Sequence, residues 1–72
     1  MKNVNTTVQI KQKGLAWEET PKVKLTFKDF TDIAIYAYRL TLQTNSEVRI
    51  EESGNGHYYS PLNAENYLKT LV

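Results

Sequence analysis

The sequence predicts a small α+β domain of order ββαββα: a four-stranded antiparallel sheet with two helices packed on one face. Three observations carry that reading. Apolar residues alternate at period two near the start, in the twenties and around residue 48. They recur at helical spacing after the second and after the last extended stretch. An Asn-Gly dipeptide between extended runs, at Asn55-Gly56, adds the return strand of a hairpin.

Val4, Thr6, Val8 and Ile10 alternate with Asn5, Thr7, Gln9 and Lys11, which is a strand with one buried face. Gly14 and Pro21 then punctuate a long connection that holds the single tryptophan, Trp17. Val23, Leu25 and Phe27 alternate with Lys22, Lys24 and Thr26 to give the second strand. Helical spacing follows. Thr26 is the predicted N-cap, with Asp29 at N3 and a staple between Leu25 and Phe30. The helix is predicted to end near Thr44, with Asn45 as a left-handed cap.

Val48 and Ile50 alternate with Glu47, Arg49 and Glu51, a third strand. A two-residue turn at Asn55-Gly56 pairs Glu52 with Tyr59, so Val48, Ile50 and Tyr59 share the core face and Tyr58 points outward. A slip of one residue exchanges the two tyrosines. Ser60 followed by Pro61 starts a second helix, whose apolar face is Ala64, Tyr67, Leu68 and Leu71. The two halves, 4–44 and 46–72, also align as ββα units. Val8-Gln9-Ile10 falls on Val48-Arg49-Ile50, Thr26 falls on Ser60, and the first connection is six residues longer. Duplication of one unit is a hypothesis this alignment raises.

Size and composition bound the function. A chain of 72 residues makes one domain, and it buries only roughly 60% of the surface its unfolded form exposes. With no cysteine, disulfides, iron–sulfur clusters and thiolate zinc sites are excluded. No apolar leader opens the sequence, and the longest apolar run, Ile33 to Tyr38, is far short of a membrane span. A cytoplasmic protein without cofactor, metal or membrane partner is the expectation. Net charge is +1 but unevenly spread, with +4 in residues 1–28 and −3 in residues 29–72.

Catalytic patterns are weak. His57 is the only histidine, and general acid–base or metal chemistry needs positioned partners for it. Glu51 and Glu52 are adjacent on a strand and point to opposite faces. Asp29 and Asp32 sit where negative charge favours a helix N-terminus. Gly54-Asn55-Gly56 lacks the Lys-Ser/Thr of a phosphate loop. The chain is therefore expected not to be an enzyme.

Two binding surfaces stand out. On the first helix only Asp32, Tyr36, Arg39 and Gln43 form a polar stripe, so the apolar arc is wider than one sheet face covers. The second helix, the Trp17 loop or another subunit has to cover the rest. Trp17 is either a lid over that helix or part of an exposed patch with Ile35, Tyr38 and Leu42. Tyr36 and Arg39 add residue types that dominate binding hot spots. Trp17, Ile35, Tyr36, Tyr38, Arg39 and Leu42 are thus the protein-interface candidates. The expected function is a small protein-binding module, an inhibitor or regulator, and size alone prompts a phage or mobile-element origin. A homodimer through the same helix is a further alternative. The second surface is basic. Gln9, Lys11, Lys22 and Lys24 lie on the predicted solvent face of the first two strands, with Lys13 and Lys28 at their ends. Such a face is a candidate for phosphate contacts and hence for nucleic acid.

Overall fold

The computed structural model describes residues 3–70. Strands β1 (Val4–Ile10) and β2 (Val23–Phe27) precede helix α1 (Phe30–Thr44), and strands β3 (Val48–Glu52) and β4 (Asn55–Tyr59) precede helix α2 (Pro61–Lys69). The four strands form one antiparallel sheet in the order β2-β1-β3-β4. The architecture is the α+β arrangement the hydrophobic periodicities predict. Leu71, the last residue of the predicted apolar face of α2, and Lys2 of the basic half lie outside the described residues.

β1 and β3 occupy the centre, and each is hydrogen-bonded on both sides. Their register sets Val8 opposite Ile50, Gln9 opposite Arg49 and Ile10 opposite Val48. These are the two segments that align in the sequence, and they meet about the Gln9–Arg49 pair. Each carries its hairpin partner on its outer edge. The helices differ in length, fifteen residues in α1 against nine in α2.

The core lies between the sheet and α1. Val8, Val48 and Ile50 rise from the central strands to meet Ile33 and Ala37 of α1. Val4, Ile10, Leu25, Phe27, Leu40 and Tyr59 close its margins. Helix α2 leans mainly on α1, with Ala64 as its one fully buried side chain. A residue without side-chain bulk at that position lets the two helices approach closely.

Two local features differ from the sequence reading. Helix α1 begins three residues later than predicted: Thr26 and Phe27 stay in β2, paired with Asn5 and Val4. Asp29 is itself the N-cap, its Oδ1 accepting from Asp32 N at 2.9 Å. The Leu25–Phe30 staple is therefore not made, and Phe30 is 62% exposed. Ladder bonds along the edge of β1 outweigh the earlier cap. Asn45 does end the helix in the left-handed region, with φ 51°.

The second difference is the hairpin turn, which sits at Ser53-Gly54 rather than Asn55-Gly56. Both turn residues have positive φ, 48° and 83°, the backbone of a two-residue hairpin turn. Glu52 now faces Asn55, and Val48 faces Tyr59. Moving the turn by two residues lengthens β4 from three residues to five before Pro61 ends it. The even shift preserves the faces, so Tyr59 still points to the core and Tyr58 outward.

Candidate functional site

Helix α1 has three sides. Ile33, Ala37 and Thr41 are buried. Toward α2, Tyr38 packs edge-on against Tyr59 with ring centroids 5.0 Å apart, and against Tyr67 at 4.7 Å. Such aromatic contacts add to the area they bury. Tyr38 is therefore part of the seam between α1, β4 and α2, and not of an exposed patch. The wide apolar arc is explained on this side by the second helix.

The third side faces solvent. Asp32, Tyr36, Arg39 and Gln43 run along it as the predicted polar stripe, all exposed. Apolar side chains flank the stripe on both sides. On one flank Tyr36, 38% exposed, leans on Phe27 at 5.2 Å between centroids, beside Leu40. On the other flank Ile35 is half-buried and Leu42 is 42% exposed, next to Leu68 of α2. The result is an open, largely apolar groove with a cation, an anion and an amide on its ridge.

The opposite face of the sheet holds Trp17. Its loop crosses the face away from the helices, so Trp17 is neither a lid over α1 nor a neighbour of Ile35 and Leu42. The reason is Gln9. Alternation places Gln9 on the polar face of β1, yet it is only 2% exposed. Its Nε2 donates to the Trp17 carbonyl at 2.7 Å and to Thr20 Oγ1 at 2.8 Å. Its Oε1 accepts from Arg49 Nη1 at 3.1 Å. Both donors and the carbonyl of a buried amide are thus satisfied, as burial of a polar group demands. The Thr20 hydroxyl donates to the same Trp17 carbonyl at 2.8 Å and closes the short 3-10 turn at Trp17–Glu19.

Around this anchor the aromatic rings and cations pair with one another. Trp17 meets Tyr58 in an edge arrangement with centroids 5.6 Å apart. Lys11 Nζ lies 5.9 Å from the Trp17 ring and donates to the Leu15 carbonyl. The Arg49 guanidinium covers the Tyr58 ring at 5.7 Å and bridges to Glu51 at 3.2 Å. Tyr58 first, and Glu51 second, hold Arg49 in its charged form above the ordinary guanidinium value. Gly56 makes room for this arrangement, since a Cβ there would stand 2.6 Å from Arg49 Nη2. Lys22 and Lys24 are exposed on the same side of the sheet, close to Glu51. Lys13 stands in the Gly14 turn, and Lys28 at the corner between β2 and α1, both exposed. Hence the predicted basic face is divided. Lys11 is committed to the loop, Gln9 is buried, and two lysines project beside a carboxylate.

Gln9, Thr20 and Arg49 are the residues that sequence reasoning misses. Period-two patterning assigns Gln9 and Arg49 to solvent, and nothing in either residue type contradicts it. The one available signal is the surplus length of the connection, which has to lie somewhere.

Little else gathers chemistry. His57 Nε2 lies 3.6 Å from Glu52 Oε1 at the hairpin, and among the described residues no group of three or more His, Cys, Asp or Glu is placed to hold a metal ion. No helix among them is long and apolar enough to cross a membrane. The half-buried aromatic seam has its own pH signature. Burial, and then the neighbouring Tyr38, Tyr67 and Glu52, raise the Tyr59 phenol above its ordinary value of about 10. The folded chain therefore keeps this proton at a pH where the unfolded chain has lost it. Stability present below pH 10 is expected to fall as pH climbs through the raised folded value. Thermal melts of Tyr59→Phe between pH 9 and 11 should show a shallower decline than the parent; parallel declines would locate the alkaline sensitivity elsewhere.

Comparison of the chain with protein-family models, with curated proteins and with solved structures returns no match.

Proposed function

We propose that the protein is a non-enzymatic binding module, an inhibitor or regulator that works by docking another polypeptide on the outer side of α1. The observation that carries this reading is the groove itself: a ridge bearing Tyr36 and Arg39 between two apolar flanks, with Leu42 exposed toward its end. Exposed apolar surface rimmed by polar groups is the physical signature of an interaction site, and Tyr and Arg are the side chains most often decisive in one. Nucleic acid draws less support, because Trp17 and Tyr58 already pack edge to face with one another, and each has a cation of the same chain, Lys11 or Arg49, over its ring. A stacking platform needs free ring faces.

A photoreactive phenylalanine analogue placed at Leu42, in cells that express the protein, tests the reading. One dominant polypeptide adduct is expected, absent when the analogue stands at Thr26 on the opposite face of the sheet. The adduct should weaken when Tyr36→Ala is added. Equal labelling from both faces, or no polypeptide adduct, would overturn the proposal.

A further inference from the structure

The ridge of α1 has a symmetry that names an occupant for the groove. Asp32 and Arg39 lie on the same stripe, seven residues apart, a rise of about 10.5 Å along the helix. They are too far apart to pair with each other, both are exposed, and neither takes part in an ion pair among the described residues. The midpoint between them falls between Ile35 and Tyr36. A twofold axis through that point, perpendicular to the helix, sets Asp32 of one chain opposite Arg39 of another, and Arg39 opposite Asp32. Tyr36 then meets its own counterpart on one flank and Ile35 meets its own on the other.

Building on the reading of this groove as a docking surface, we infer that its occupant is a second copy of this chain, with the two α1 helices packed antiparallel and two Asp32–Arg39 pairs across the axis. An isologous interface requires a surface complementary to itself. Opposite charges equidistant from an apolar centre meet that requirement for antiparallel helices and defeat it for parallel ones, where like charges would coincide. Antiparallel packing also brings the positive end of each helix near the negative end of the other. The arrangement leaves the outer face of the sheet and the Trp17 loop free.

Charge reversal tests the geometry. By light scattering coupled to size exclusion, and by sedimentation across concentration, the parent chain is expected to be a dimer. Asp32→Arg makes both ridge charges positive, and Arg39→Asp makes both negative. Each single variant is expected to weaken the dimer by at least about tenfold, because like charges then face each other across the axis. Mixing the two single variants should restore a dimer, now mixed, and so should the double reversal Asp32→Arg with Arg39→Asp. Restoration by mixing also shows that each variant is folded. A parent chain that stays monomeric overturns self-association. If the analogue at Leu42 nevertheless captures a different polypeptide, the wider docking reading stands without it. A dimer indifferent to both single reversals places the contact on another face and overturns the inference as well.

Discussion

Replacing Ile50 with alanine is expected to lower stability by about 2–5 kcal/mol, the range for truncating a fully buried aliphatic side chain. Ile50 is completely inaccessible and is the largest such side chain among the described residues. It sits at the middle of the central strand pair, opposite Val8 and beneath α1. A chain of 72 residues has on the order of 4–11 kcal/mol in total. The loss is therefore a large fraction of what holds the fold, and the melting temperature should drop by roughly 10 °C or more. Urea denaturation of parent and variant measures it directly. A loss below about 1 kcal/mol would mean that the site collapses around the missing atoms, contrary to the close packing assumed for this core.

Gln9→Leu has the second-largest expected effect, and it is more local. Leucine removes both donors and the acceptor from a closed hydrogen-bond group. The Trp17 carbonyl keeps its bond from Thr20, while Arg49 Nη1 loses its partner. Leaving such groups short is expected to cost about 2 kcal/mol. The loop between β1 and β2 should also loosen, with Trp17 emission moving to the red and easier proteolysis at Lys13. Gln9→Glu separates the two halves of the network. It keeps an acceptor for Arg49 and loses the donors to Trp17 and Thr20, so it should free the loop while the Arg49 guanidinium stays seated. If the fluorescence of both variants matches the parent, Gln9 is not what holds the loop.

The elements and their order are readable from the residues because each rests on a local rule. Period-two alternation marks β1, β2 and β3, helical spacing marks α1 and α2, and Asn45 and Ser60-Pro61 punctuate the helices where the structure has them. Boundaries moved where a tertiary interaction competes with a local one. Phe27 stays in the sheet because Val4 pairs with it, and the turn shifts to Ser53-Gly54 because a longer β4 makes more ladder bonds. Of the candidate binding residues, Ile35, Tyr36, Arg39 and Leu42 do share one side of α1. Tyr38 and Trp17 left the group for different reasons. Tyr38 faces the second helix, and helical spacing alone does not say which apolar side a neighbouring helix takes. Trp17 crosses to the other side of the sheet because a single buried amide fixes its loop. No periodicity reveals which polar residue will be covered.

The seam between β1 and β3 also decides how the molecule comes apart. The β3–β4 hairpin closes through a two-residue turn, but isolated two-stranded hairpins are marginal in water. The four pairs from Thr7–Glu51 to Ile10–Val48 join strands that all of α1 separates in the chain. Until that long-range contact forms, both central strands present open edges and neither helix has a complete surface to rest on. Folding is therefore expected to be all-or-none, with closure of the long loop between β1 and β3 slower than that of either hairpin. Neither half of the sequence is then expected to be a stable stopping point, and the pair Gln9–Arg49 lies on the contact that joins the two halves.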